Sequence, residues 1–193
     1  MRAQDWDERY AEKQQWSAEP NALIAELLAG LPAGDAVDVA AGEGRHALWL
    51  AGLGWRVTAV DFSDLGLSRG RAQPGADRVT WVTADVTRWS AEPESLDLVL
   101  VAYLHLPEPD TTALFARAVG WLRPGGRLLV LGHDVDNLTA GVGGPQEAAI
   151  LHSVDRLAPV AELLDVDRLE QVRRETPAGT ALDTLLWDRR PAR

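Results

Sequence analysis

Apolar positions along this chain alternate between two regimes. Short runs rich in valine, leucine and alanine at residues 36–41, 55–60, 78–83, 96–102 and 126–132 read as five strands covered on both faces. Longer stretches near 21–29, 45–53, 64–71 and 111–122 carry apolar residues at helical spacing. This alternation predicts βαβ units around a parallel sheet. Two further runs, 166–173 and 181–189, flank Thr176-Pro177-Ala178-Gly179, whose turn chemistry predicts an antiparallel hairpin closing the sheet. The expected architecture is α/β with seven strands, mostly parallel. Leu122-Arg123-Pro124-Gly125-Gly126 is expected to separate the fourth helix from the fifth strand. Residues 134–145, rich in glycine, form the one long irregular stretch, of a kind that is commonly functional or mobile.

Composition narrows the classes of function. At 193 residues and 46% hydrophobic, the chain matches one domain that buries roughly 70% of its unfolded surface, so a single domain over 1–193 is expected. It has no cysteine, which excludes disulfides, thiolate metal sites and cysteine nucleophiles. A net charge of −10, from 29 acids against 19 bases, would repel a phosphate backbone, so nucleic acid is not an expected partner. No apolar run approaches the ~20 residues that span a bilayer, and residues 1–20 lack a signal-peptide centre. Neither membrane nor metal is expected, and the chain reads as cytoplasmic.

The candidate chemistry begins where the first strand ends. Asp38-Val39-Ala40-Ala41-Gly42-Glu43-Gly44-Arg45 leads straight into a helix, so Gly42 and Gly44 stand where backbone must turn sharply against a ligand. Taken alone, this glycine pattern also suits a dinucleotide. Three carboxylates discriminate. Asp61 closes the second strand about 20 residues beyond Gly42, where an acid accepts ribose hydroxyls; it could instead cap the helix that follows. Asp85, after Ala84 and the third strand, could accept from an adenine amino group or start a turn. Asp38, four residues before Gly42, could favour a cationic ligand or hold the loop. Together they describe a site for a positively charged nucleoside, and Asp61→Ala is expected to weaken its binding with little loss of fold.

These residues resemble the class I S-adenosylmethionine-dependent methyltransferases, from Trp6 to Trp187. The resemblance rests on residues 37–45, Val57-Thr58-Ala59-Val60-Asp61-Phe62-Ser63, Ala84-Asp85 and residues 122–126 in that order and spacing. It implies a three-layer Rossmann-like sandwich whose seven-stranded sheet has an antiparallel seventh strand, with S-adenosyl-L-methionine as cofactor. The residues expected at that cofactor are Asp38, Ala40, Gly42, Gly44, Arg45, Asp61, Phe62, Ala84, Asp85, Val101 and Trp16. The opening Asp5-Trp6-Asp7-Glu8-Arg9-Tyr10, with Trp16 and Pro20-Asn21, is similar to small tellurite-resistance-type and thiopurine-type methyltransferases. That likeness implies a lid or helix segment over 1–30, with Trp6, Tyr10 and Trp16 facing the ligand. Many relatives carry glycine or cysteine where this chain has Ala40-Ala41.

A sulfonium methyl is already activated, so the protein's task is to align a nucleophile and exclude water. A small-molecule acceptor (thiol, metalloid oxyanion or small metabolite) is expected, and a homodimer is a candidate assembly. Soft acceptors need little proton removal, whereas a hydroxyl needs a base. Candidates on the acceptor side are Tyr103 and His105, after the fourth strand, and His133, which ends the fifth with Asp134 as its candidate orienting partner. His46 reads as a cap on the first helical turn and His152 as uninformative. Asp97, at the opposite end of its strand, reads as structural. Two other readings compete: an NAD(P)-binding oxidoreductase, and a module that binds the cofactor without turnover.

Overall fold

A computed structural model describes residues 19–192. The described chain divides into two compact units, the first ending at Trp89 and the second starting at Ser90. The expectations for Trp6, Tyr10 and Trp16 lie outside the described residues.

The first unit holds α1 (Ala22–Leu28), β1 (Asp35–Val39), α2 (Arg45–Gly52), β2 (Arg56–Asp61), α3 (Asp64–Arg71), a 3-10 turn at Ala76–Arg78 and β3 (Val79–Thr83). Its strands pair in parallel, with Val37 opposite Thr58 and Thr58 opposite Thr80. Local chemistry sets the helix starts. The Asn21 side chain accepts from the Leu23 and Ile24 N–H groups, and Ser63 accepts from Gly66 N–H, each satisfying donors that a helix leaves without partners. Ile24, Val37, Val39, Leu50, Val60 and Leu67 are fully enclosed.

The second unit holds β4 (Leu96–Ala102), α4 (Asp110–Trp121), β5 (Leu122–His133), α5 (Asn137–Ala140), a 3-10 turn at Ala148–Ile150, α6 (Val154–Ala161), β6 (Asp165–Thr176) and β7 (Gly179–Arg189). β4 and β5 run parallel, β5 and β7 antiparallel, and β6 and β7 form the predicted hairpin, closing at Thr176 opposite Gly179. Sequence reading omits α6, although Ser153 caps it by accepting from Arg156 N–H; Pro159, inside it, interrupts the helical signal. The irregular 134–145 stretch also contains the short α5.

β5 differs most from expectation. The helix does end before Leu122, but Leu122 immediately pairs with Leu96, and the Pro124-Gly125 irregularity is absorbed inside one long strand. A Cβ on Gly126 would lie 2.9 Å from the Leu96 carbonyl oxygen, so glycine there permits close strand approach rather than a loop. Asp97, read as structural, pairs with Arg123 at 2.6 Å.

The sheet has seven strands in the order β3-β2-β1-β4-β5-β7-β6, parallel except where β7 joins. This is the expected Rossmann-like methyltransferase architecture. No helix among the described residues is long and apolar enough to cross a membrane.

Candidate cofactor cradle and histidine cluster

In the first unit the chain turns at Ala40, Gly42 and Gly44, with φ of 59°, 58° and 74°. All three lie in the left-handed region, which glycine enters freely and alanine does not. Asp61, 5% exposed, spans the turn: one carboxylate oxygen accepts from Gly42 N–H at 2.8 Å and the other from Ser63 N–H at 2.8 Å. Asp61 thus also holds the strand-to-helix junction. Asp38 accepts from Ala47 N–H in the first turn of α2 at 3.1 Å. Burial pushes its carboxyl up to about 7, with Ala47 and Arg45 opposing and Asp61 adding to the rise. Both acids therefore hold backbone.

A second layer supports the turn. Glu43, in the turn itself, pairs with Arg69 of α3 at 3.1 Å. The Trp81 ring lies beneath: a Cβ on Gly44 would come within 2.4 Å of it and one on Gly70 within 2.5 Å, while its indole N–H donates to the Ala76 carbonyl. Gly44 is thus demanded by an indole. Ala84 donates its N–H to the Asp61 carbonyl at 2.8 Å. Asp85, half-exposed, accepts from Thr87 N–H and Oγ1 in a turn, and Phe62 follows directly after β2. His46 does not cap its own helix. Buried, it accepts from Asn21 N–H, and burial together with Arg45 pushes it down to about 3.

The second unit gathers three histidines. His133 and His105 stack with ring centres 5.5 Å apart, and His105 and His152 at 5.3 Å. His105 Nε2 accepts from His133 N–H at 3.0 Å; burial, with His152 and His133 adding, pushes its imidazole down to about 3. His152 donates from Nε2 to the Leu104 carbonyl, and burial lowers it to about 4. A Cβ on Gly132 would strike the His152 ring at 2.4 Å. Val101, expected at the cofactor, is buried in β4 opposite Val130.

His133 does not pair with Asp134, because consecutive strand residues face opposite sides. Asp134 accepts instead from Thr184 Oγ1, Gln171 Nε2 and Asp136 N–H. The acid beside His133 is Asp183, directly across on β7, with Nδ1 and Oδ1 3.2 Å apart. Nδ1 is buried and makes no aligned hydrogen bond, so the Asp183 carboxylate at 3.2 Å acts on it by its charge. Asp183 also accepts from Tyr103 Oη at 2.8 Å and Arg174 Nε at 2.7 Å. Burial opposes its ionisation, but His133, Arg174 and Tyr103 hold its carboxyl at about 2. Tyr103, at φ 60°, lies beneath the Arg174 guanidinium.

Residues 36–126 match the family model of a methyltransferase domain. That methyltransferase-domain match runs from β1 into β5. Demethylmenaquinone methyltransferase of Clavibacter sepedonicus is 34% identical over 95 residues, 49% of this chain and 39% of the relative; the chain thus spans well under half the length of that relative. A solved structure from work on converting a disulfide bond into a thioacetal group during echinomycin biosynthesis superposes with TM-score 0.77 at 22% identity, covering 98% of this chain and 93% of the other. TehB from Haemophilus influenzae gives 0.76 at 13% identity, covering 96% and 67%. The fold is that of class I methyltransferases.

Asp183 and Arg174 are not singled out by the sequence. Asp183 sits in a strand reading Leu182-Asp183-Thr184-Leu185, where an acid two residues into an apolar run is the available signal; its partners come from distant segments that only the sheet register joins.

Proposed function

We propose that this chain is an S-adenosylmethionine-dependent methyltransferase acting on a small-molecule acceptor. One observation carries the reading: a left-handed turn at Ala40–Gly44 clamped by buried Asp61, with buried Asp38 beside it. These residues suit a positively charged nucleoside. Burial penalises the Asp38 carboxylate more than Ala47 and Arg45 relieve it, and an adjacent sulfonium would favour its charged form. A carboxylate accepts about four hydrogen bonds, so Asp61 can hold backbone and receive ribose hydroxyls together. Asp38, Ala40, Gly42, Gly44, Arg45, Phe62, Ala84 and Asp85 are the first unit's candidates for this contact, and Val101 the second unit's. The cofactor supplies an activated methyl group.

On the acceptor side the proposed residues are Tyr103, His105 and His133. A thiol, metalloid oxyanion or small metabolite is the acceptor class, the cytoplasm the proposed compartment and the tellurite-resistance or thiopurine type the proposed subgroup. Two observations support this assignment: the demethylmenaquinone methyltransferase relative bears the name of an enzyme for a small molecule, and the acidic surface disfavours nucleic acid.

Addition of S-adenosylhomocysteine is expected to raise the melting temperature, because a ligand selective for the native state stabilises it by about 2.7 kcal/mol at one hundred times its dissociation constant. No shift at saturation, with a shift from NADH, would transfer the cradle to a dinucleotide. Incubation with methyl-labelled cofactor and a panel of thiols, selenite, tellurite and small phenols then tests turnover; label recovered in a product rules out a purely binding protein.

A further inference from the structure

Resting on that reading, the second unit's side chains distinguish among the candidate bases. His105 already spends Nε2 as acceptor for the His133 N–H, and His152 spends Nε2 on the Leu104 carbonyl. Tyr103 donates its hydroxyl proton to Asp183. His133 differs from all three. Its Nδ1 faces Asp183 Oδ1 at 3.2 Å, and its side chain keeps 14% exposure, whereas Asp183 keeps 1%. Gly144, at φ 77°, lies over the ring, where a Cβ would come within 2.7 Å of Cδ2, 2.8 Å of Cγ and 2.9 Å of Nε2. A larger residue at 144 would press on the imidazole.

We propose that Asp183 is the positioning residue that holds His133 as its Nδ1–H tautomer, so that Nε2 removes the proton from a protic acceptor, a hydroxyl, thiol or amine, as that acceptor takes the methyl group. Arg174 and Tyr103, both donating to Asp183, keep the carboxylate ionised and aimed, as an acid does for the base of a catalytic triad. The balance is simple. The electron pair of the acceptor's X–H bond forms the X–CH3 bond, the methyl–sulfur pair returns to sulfur as a neutral thioether, and the proton goes to Nε2 and then to water. An oxyanion that carries no proton on its attacking atom needs none of this, so within the proposed acceptor class the dyad serves the protic members.

The tautomer can be read directly from two-bond proton–nitrogen correlation spectra of the wild-type protein labelled with 15N-histidine. His133 is expected with Nδ1 protonated and Nε2 bare; Nε2 protonated and Nδ1 bare would overturn the proposal. Diethylpyrocarbonate, which acylates a bare imidazole nitrogen, is expected to label His133 in wild type and to do so roughly tenfold more slowly or worse in Asp183→Asn, as loss of an orienting acid predicts. Equal labelling in the two proteins, or none at His133 in wild type, would also overturn it. Tyr103→Phe keeps the dyad and is expected to leave the tautomer unchanged. The wild-type spectrum decides even where Asp183→Asn fails to fold. Calorimetry with S-adenosylhomocysteine on the same samples separates the two readings: normal nucleoside binding with the wrong tautomer removes this inference alone.

Discussion

Ala40 carries a φ of 59° at the tip of the first strand, in a region that costs an L-residue roughly 1–2 kcal/mol. Part of that cost returns as the entropy an added glycine loses on folding, roughly 0.5–1 kcal/mol. Ala40→Gly is therefore expected to stabilise the protein by up to about 1 kcal/mol, read as a higher denaturant midpoint; a lower midpoint would show that the Ala40 methyl packs usefully enough to outweigh the strain. Asp61 makes the opposite case. Its carboxylate holds two buried N–H groups, and each stranded donor costs about 1–3 kcal/mol. Asp61→Ala should thus lower folding stability as well as nucleoside affinity, and the expectation of a harmless change is corrected by the hydrogen bonds. Equilibrium unfolding with an unchanged midpoint would mean that Gly42 and Ser63 find other acceptors.

At the scale of elements, α5 anchors a loop. Asn137 donates through Nδ2 to the Val142 and Gly143 carbonyls, and its Oδ1 accepts from the buried Leu182 N–H of β7 at 2.7 Å. One side chain therefore ties the glycine-rich loop, which ends against His133, to the sheet. Asn137→Ala is expected to cost about 1–3 kcal/mol and to speed hydrogen exchange at Leu182; protection at Leu182 equal to wild type would refute the latch. This loop also shows where sequence reading stops. The cores of β1, β2, β4 and β5 are legible because strands buried on both faces are nearly continuous apolar runs. Gly42 and Gly44 were legible because a turn between strand and helix constrains residue type locally. Trp81 beneath Gly44, Asp183 against His133 and Asn137 on Leu182 were not, since each contact is fixed by register between segments far apart in the chain. His133 with Asp134 failed for the same reason: adjacency in sequence puts two strand residues on opposite faces.

For the whole molecule, buried titratable groups set how stability depends on pH, and they pull in opposite directions. His46, His105 and His152 are held at about 3, 3 and 4, below their ordinary 6.5. The stability gained by keeping them neutral is complete above 6.5 and is lost as pH falls towards 3 to 4. Asp183, held at about 2 against 3.8, adds a loss that begins only near 3.8. Asp38 and Asp188 run the other way. Burial raises them to about 7 and about 6, so their contribution is complete below 3.8 and disappears as pH rises through those values. Between about pH 4 and 6.5 the unfolded chain takes up protons on three histidines, while the folded chain holds them on two carboxyls. The difference of about one proton corresponds to roughly 1.4 kcal/mol of stability gained per pH unit on going up. Above 6.5 the three histidines of the unfolded chain and the Asp38 carboxyl of the folded one lose their protons together, so the slope falls towards zero. Thermal unfolding at low salt is therefore expected to show a midpoint rising from pH 4.5 to about 6.5 and levelling beyond it. A midpoint higher at pH 5 than at pH 7 would mean that the two carboxyls outweigh the three imidazoles. Asp188→Asn removes one of the opposing groups and should steepen the climb, because three histidine protons then work against Asp38 alone.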